Sequence, residues 1–303
     1  MSARELTALG TASLVPTKTR NHNGYFLRWG ASGLLFDPGE GTQRQLTQAG
    51  ISVRAIDVIC LTHLHGDHCL GLPGVLQRLS LDQVPHEVTI CYPAQGQEYV
   101  DHLRHASSYY NQARLRFLPV PGSEAPREIL RTADFVLSTA SLDHRVPTIG
   151  YRVADLPGRR LDQAELERRG LAGPQVGQLV RDGQLTVAGL THRLADVSVP
   201  RRATTFAFVM DTRPCAAAAA LAADADLLVM EATYTQECAH LAAEHAHSTA
   251  AQAAEVAVSA GARRLALTHF SARYPDTTGH VAEASALHGD VVALADLARV
   301  PVR

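Results

Sequence analysis

The stretch that most constrains this chain is Asp57-Val-Ile-Cys-Leu-Thr-His-Leu-His-Gly-Asp-His68. A short apolar run of strand type ends abruptly in His63, His65, Asp67 and His68. Three imidazoles and a carboxylate cannot be buried without partners, so the run delivers them either to water or to a cation. Residues two apart on an extended segment face the same side, which pairs His63 with His65. Gly66 frees the backbone to turn, and Asp67 and His68 lie beyond it. One loop can thus serve two neighbouring cations. A zinc site on a single helix would space its histidines four apart, and this segment does not. A polar surface turn is the alternative, but the strand-like run leading into the cluster argues against it.

The remaining sequence supplies an α/β framework for such a site. Leu6 to Val15, Tyr25 to Trp29 and Gly33 to Phe36 read as strands. Between the first two lies Pro16-Thr-Lys-Thr-Arg-Asn21, a turn-forming loop holding Lys18, the only lysine of the chain, and Arg20. Without further context this is a solvated loop. After Phe36 comes Asp37-Pro-Gly-Glu-Gly-Thr-Gln43. Its glycines have the look of a phosphate-cradling loop, but G-x-G-x-x-G and a P-loop lysine are both missing, which disfavours nucleotide binding. Asp37, at a strand end, is better suited to accept a hydrogen bond from a metal-bound histidine.

Beyond the histidine cluster the pattern predicts a helix to about Ser80, a strand from Glu87 to Tyr92, and a helical segment with His102 and His105. The apolar run from Phe135 delivers His144 at its end. The second half repeats one theme three times: Thr204 to Met210 ends at Asp211, Asp226 to Met230 at Glu231, and Arg264 to Thr268 at His269. Alanine-rich Pro214 to Ala223 and Thr249 to Ala260 supply helices between them. Strands alternating with helices, each strand ending in a potential ligand, is how α/β proteins assemble sites at strand termini. Asp155 to about Val197 breaks this pattern. It carries Gly173-Pro174 and several arginines matched by nearby acids, lacks sustained apolar periodicity, and reads as an excursion from the core or as a charge-alternating solvated helix.

Composition narrows the function classes. At 303 residues and 46% hydrophobic content, the chain can form one large α/β domain or two small ones. Its formal charge of -2 provides no overall field for a polyanion, so any nucleic-acid site must be a local patch. Five cysteines without a C-x-x-C pair point to reduced thiols and a cytoplasmic protein. No apolar stretch reaches membrane-spanning length, and the first residues do not resemble a secretion signal, so no membrane association is expected.

Gathered in space, His63, His65 and His144 would hold one cation, Asp67, His68 and His269 a second, and Asp211 would bridge them. Mixed imidazole and carboxylate donors suit zinc, with manganese as the alternative. Two ions about 3.5–4 Å apart can ionise a water near neutral pH and clamp a phosphoryl group. Glu231 and His247 could form a unit that protonates the leaving oxygen, although a purely structural His247 is equally compatible with the pattern. The remaining histidines, among them His86, His102, His105, His240, His280 and His288, have no partner at suggestive spacing.

Taken together these segments resemble ribonuclease Z, the tRNA 3′-processing endoribonuclease family of the metallo-β-lactamase superfamily. The resemblance covers nearly the whole chain and rests on Phe36-Asp-Pro-Gly-Glu-Gly-Thr-Gln43, Thr62 to His68, Leu142-Asp-His-Arg-Val-Pro-Thr-Ile-Gly-Tyr151, Asp211-Thr212, Glu231-Ala-Thr233, His247-Ser-Thr249 and His269-Phe-Ser-Ala-Arg-Tyr274. It implies a single α/β domain over residues 1–303, a metallo-β-lactamase-like αββα sandwich, with a protruding flexible arm inserted at 155–197. It also implies a homodimer with two zinc ions per subunit on the ligands above. Asp67 would help activate water, and Glu231 and His247 would pass a proton to the leaving 3′ oxygen. The cut would leave a 3′-OH on the tRNA. Lys18, Arg20 and Asn21 match the family's substrate-end loop, Arg273 is a further substrate contact, and Gly173 and Pro174 lie in the arm that meets the tRNA elbow. The chain departs from the family at Pro38, where Cys is common, and at Met230, where His is usual. Neither is a ligand. The competing expectation is a small-molecule phosphodiesterase or other ester hydrolase on the same fold. A non-catalytic RNA- or metal-binding protein is disfavoured by the complete ligand set.

Overall fold

The computed structural model describes residues 4–303. They divide into two compact units, Asp155–Ala203 and the remainder.

The larger unit is built on two seven-stranded sheets. The first runs in spatial order Arg299–Pro301, Arg4–Gly10, Gly24–Trp29, Ser32–Phe36, Val58–Cys60, Glu87–Pro93 and Arg114–Val120. The second runs Val291–Ala293, Leu265–Thr268, Leu227–Glu231, Thr205–Val209, Ile149–Asp155, Phe135–Ser141 and Arg127–Arg131. Side-chain alternation explains the layering. Phe206, Phe208, Leu227 and Val229 join Tyr25, Leu27, Leu34 and Phe36 of the other sheet in one central core. Their sequence neighbours Ala207, Val209, Leu228 and Met230 face the opposite way, onto the helices Ala216–Ala222 and Ala250–Ser259. Leu35, Ile59, Val88 and Ile90 likewise pack on the outer side of the first sheet with Leu72, Val75 and Leu76 of the helix Leu72–Leu81. Strands buried on both faces must be apolar at every position, which is why these runs lack polar alternation. The unit is an αββα sandwich.

Alanine at Ala217, Ala218, Ala253 and Ala254 leaves only a methyl between helix and sheet, all four buried. The alanine-rich segments thus serve close helix–sheet contact as well as helix propensity. The N-terminal strand is shorter than its apolar run suggests. It ends at Gly10, and Leu14 and Val15 are exposed. Gly10 itself lies so close to the carbonyl of His22 that no side chain could be accommodated there.

Three strand ends share a backbone feature. Asp37, Asp211 and His269, each just past a strand, take φ of 43°, 44° and 62°. Left-handed backbone in residues other than glycine costs on the order of 1–3 kcal/mol each. Asp and His are among the types that tolerate it best. In the parallel parts of both sheets the C-terminal ends lie on one edge, so these turns bring their side chains to a common place.

The smaller unit consists of two short antiparallel pairs, Gly158–Leu161 with Ser198–Arg201 and Gln184–Val187 with Leu190–Arg193, and two helices, Gln163–Arg168 and Pro174–Asp182. The spacing of its apolar residues suggested no core, yet Leu166, Leu171, Leu179, Leu185 and Val197 are buried together. They come from short elements, so no single period reveals them. The unit continues to Ala203 because Ser198–Arg201 pairs back on Gly158–Leu161. Gly173 has φ of 53° and precedes Pro174 at the start of the second helix, where a proline sacrifices no hydrogen bond.

Candidate active site and metal centre

The ends of the two sheets bring seven side chains into one cluster. His63, His65, His144 and Asp211 have donor atoms within 4.8 Å of one another, and so have Asp67, His68 and His269. Asp211 faces both groups with different oxygens. Its Oδ2 lies 3.5 Å from His63 Nε2 and 3.8 Å from His144 Nε2, while Oδ1 lies 3.3 Å from His68 Nε2 and 3.2 Å from His269 Nε2. Asp67 Oδ2 approaches the same two rings at 3.3 and 3.5 Å.

The outward nitrogens of the rings explain what the inward ones do. The Thr62 hydroxyl donates to Asp37 Oδ2 at 2.7 Å and so can only accept from His63 Nδ1 at 3.0 Å. The Thr233 hydroxyl donates to Glu231 Oε2 at 2.6 Å and accepts from His269 Nδ1 at 2.7 Å. His68 Nδ1 is held by Asp37 at 2.8 Å and His144 Nδ1 by the Ala246 carbonyl at 2.8 Å. With the proton on Nδ1, a neutral ring at any of these positions presents an unprotonated Nε2 to the cluster centre. His63 Nε2 then stands 3.0 Å from His65 Nδ1, and His144 Nε2 stands 3.4 Å from that same atom. Facing lone pairs at such distances repel unless a proton or a cation lies between them.

Electrostatics fits a cation. Burial keeps His63, His65 and His144 below the ordinary imidazole pKa, hence neutral and able to act as ligands. Burial opposes a charge on His68 too, but Asp211, Asp67 and Asp37 together overcome this and raise its pKa. That pocket demands positive charge, and a metal ion meets the demand as well as a proton does. Asp211 Oδ1 is buried without a hydrogen bond. An orphaned carboxylate oxygen facing two inward-pointing imidazoles is the strongest sign that the donors fit a metal.

Beside the cluster, Glu231 is fully buried and accepts from the Thr212 amide at 2.6 Å and from His247 Nδ1 at 2.9 Å. Burial alone would protonate Glu231, but His247 outweighs it and keeps the carboxylate ionised. Burial disfavours charge on His247 as well, yet Glu231 and Asp211 lift its pKa to about 9. The pair is therefore carboxylate and imidazolium at neutral pH. His247 comes within reach of Asp211 and His269, but its Nδ1 is committed to Glu231.

The loop residues behave differently from one another. Lys18 is exposed and has no hydrogen bond or ion pair among the described residues. Arg20 instead donates to the Tyr274 carbonyl at 3.0 Å and lies over the Phe270 ring. The Asn21 amide group donates to the carbonyls of Glu40 and His22, and its backbone N–H donates to Asp296. Arg20 thus fastens the loop to the segment after His269 and Asn21 fastens it to Glu40 and Asp296, leaving Lys18 free. Arg273 lies over Tyr234, which lines the same cleft of about 520 Å³ as Asp67, His144 and His247. Gly173 and Pro174 belong to the smaller unit described above.

Three contributors were invisible as such in the sequence. Thr62 and Thr233 set the ring tautomers, and Asn23, held by Tyr25, directs its amide group at His68 Nε2, 3.2 Å away. Thr62 and Thr233 sit inside recognisable motifs, but their hydroxyl directions depend on Asp37 and Glu231, which are distant in sequence. Gly39 also gains a reason: a Cβ there would collide with the Asp67 carbonyl, so this loop packs against the histidine segment.

Fold and cluster define a metallo-β-lactamase-type hydrolase. Residues 17–161 match the metallo-beta-lactamase superfamily. Over its full length the chain is 52% identical to a ribonuclease Z of Nocardia farcinica, covering 99% of that protein, and 49% identical to one of Streptomyces coelicolor, again covering 99% of it. The chain therefore belongs to the ribonuclease Z family. The crystal structure of the short form of human tRNase Z has the same fold, with a TM-score of 0.71, 24% identity and 99% of each chain covered.

Losing an outward hydrogen bond should loosen the metal without removing a ligand. Asp37→Asn and Thr233→Val are each expected to weaken metal affinity about 10- to 100-fold in competition with a chelator. Unchanged affinity in both variants would show that the ring tautomers are set elsewhere.

Proposed function

We propose that this protein is a zinc-dependent endoribonuclease that removes the 3′ trailer of precursor tRNA in the cytoplasm, leaving a 3′-OH on the tRNA. The observation that carries the metal reading is the two-sided Asp211, with one oxygen toward each group of ligands. His63, His65 and His144 would hold one zinc, and Asp67, His68 and His269 the other. When bound, the pair supplies Lewis acidity, making water ionisable near neutral pH and offsetting phosphate charge.

The chain's own groups divide the remaining work. Asp67, its pKa depressed despite burial by His68 and His269, stays ionised and orients the attacking water. His247 carries a proton at neutral pH and gives it to the departing 3′ oxygen, and Glu231 holds the ring in place and stabilises its charge. The buried ligands, with His63 and His68 fully inaccessible, keep bulk water from the metals except through the cleft. Lys18 and Arg273 stand exposed to meet the RNA end, whereas Arg20 and Asn21 contribute by holding the Lys18 loop in position. The smaller unit, with Gly173 and Pro174 at a helix start, is read as a separate contact for the body of the tRNA. The full-length relatives near 50% identity support this reading over a small-molecule esterase. No helix among the described residues is long and apolar enough to cross a membrane.

Zinc-loaded protein is expected to cut a 3′-extended precursor tRNA next to the mature end. His247→Ala should keep its metal content while turnover falls on the order of 10²–10⁴-fold. Loss of zinc in that variant would make His247 a ligand.

Ala154 and Thr205 are paired on adjacent antiparallel strands, so residues 155–203 can be replaced by a short turn that takes only the last residue, Asp155, from the sheet. That variant is expected to lose precursor cleavage and retain hydrolysis of a small phosphodiester. Equal loss of both would argue against a separate tRNA contact.

We also infer a homodimer, as the resemblance to the ribonuclease Z family implies. Sedimentation should give twice the 32.5 kDa chain mass. A monomer at assay concentrations would refute it.

A further inference from the structure

The cleft over the metal ligands contains one cation with no assigned role. Arg145 lines it, is exposed, and makes no hydrogen bond or ion pair among the described residues. Its neighbour Asp143, the nearest acid in sequence, is occupied by Arg213 at 3.2 Å. The guanidinium is thus neither neutralised nor tied down.

The turn that carries it is braced on both sides. The Asp143 N–H donates to the Thr212 hydroxyl at 3.1 Å, and the Arg213 N–H donates to the Asp143 carbonyl at 2.9 Å. His144 is fixed by the Ala246 carbonyl. The Leu142 N–H bonds to the Thr148 carbonyl at 2.9 Å, and the Thr148 hydroxyl bonds to the Val146 carbonyl at 2.9 Å. Arg145 therefore projects from a braced turn next to a metal-binding histidine. Such anchoring reduces the entropy lost when the side chain captures an anion.

The wall formed by His144, Arg145 and Val146 is shared with a second cleft of about 380 Å³, lined by Pro93, Gln95, Gly122 and Pro147. On the function proposed above, a diester undergoing cleavage would occupy the first cleft, against Asp67 and His247. A group on the shared wall meets the strand where it passes from one cleft to the other.

From this placement we infer that Arg145 is a substrate-positioning residue that binds a phosphate flanking the scissile one and directs the RNA strand from the catalytic cleft into the second cleft. Guanidinium pairs with two phosphate oxygens at once, which fixes direction as well as position. The inference rests on the RNA-cleaving function proposed above.

The test uses full-length, zinc-loaded Arg145→Gln and Arg145→Lys with a 3′-extended precursor tRNA, and precursors carrying a single neutral methylphosphonate on either side of the cut. For Arg145→Gln, kcat/KM is expected to fall roughly 10- to 100-fold, mainly through KM, with metal content unchanged. The salt dependence of kcat/KM should become shallower by about 0.7, the share of one phosphate contact on a single strand. Arg145→Lys should recover part of the loss. One methylphosphonate position should slow the wild type but not Arg145→Gln, which identifies the phosphate. Unchanged kcat/KM and salt slope, or no coupled position, would overturn the inference. So would a loss confined to kcat or accompanied by loss of metal, since Arg145 would then act through His144. Failure of the wild type itself to cut the precursor would instead refute the proposed function, and this role with it.

Discussion

Everything at this site depends on holding buried carboxylates and imidazoles together without neutralising them by ordinary pairing. Asp211 is the centre of the problem: it is buried, touches four imidazoles, and has one oxygen that makes no hydrogen bond. Isolated, such a group would carry a desolvation cost of several kcal/mol. The protein offsets this by surrounding the carboxylate with nitrogens whose protons have been drawn to the outside, so that a shared cation becomes the favourable occupant.

The sandwich exists to make that arrangement rigid. Two sheets with apolar faces on both sides put the ends of their parallel strands on one edge. Strained left-handed turns at Asp37, Asp211 and His269 redirect the chain there. Threonine hydroxyls convert distant acids into tautomer control: Asp37 acts on His63 through Thr62, and Glu231 acts on His269 through Thr233. Glu231 serves a second purpose, since its other oxygen holds His247. One buried carboxylate thus bears on both a ring of the cluster and on His247.

The loop before Asn23 shows the difference between a residue's chemistry and its employment. Lys18 and Arg20 are equivalent cations in a sequence, but only the first is free in the structure. Arg20 bonds the Tyr274 carbonyl and covers the Phe270 ring, joining the N-terminal loop to the chain that carries His269. Arg145 is the opposite case. It lies within a recognisable motif next to His144, and its position on the wall between two clefts is what carries the role inferred for it.

The sequence by itself determined the strand ends, the seven clustered side chains and the family, because strand-like runs that stop at His, Asp or Glu leave a local signature. Boundaries of the strands that lead into Asp37, Asp211, Glu231 and His269 followed from the same runs, whereas edge strands such as Arg114–Val120 and Arg127–Arg131 did not. What the tertiary structure decided was everything requiring partners far apart in the chain. It selected the Nε2 face of the histidines, divided Asp211 between two groups, paired Glu231 with His247 as carboxylate and imidazolium, and gave the 155–203 segment a small core of its own. Those outcomes depend on hydrogen-bond direction, burial and close packing between remote segments, none of which a local pattern of residue types encodes.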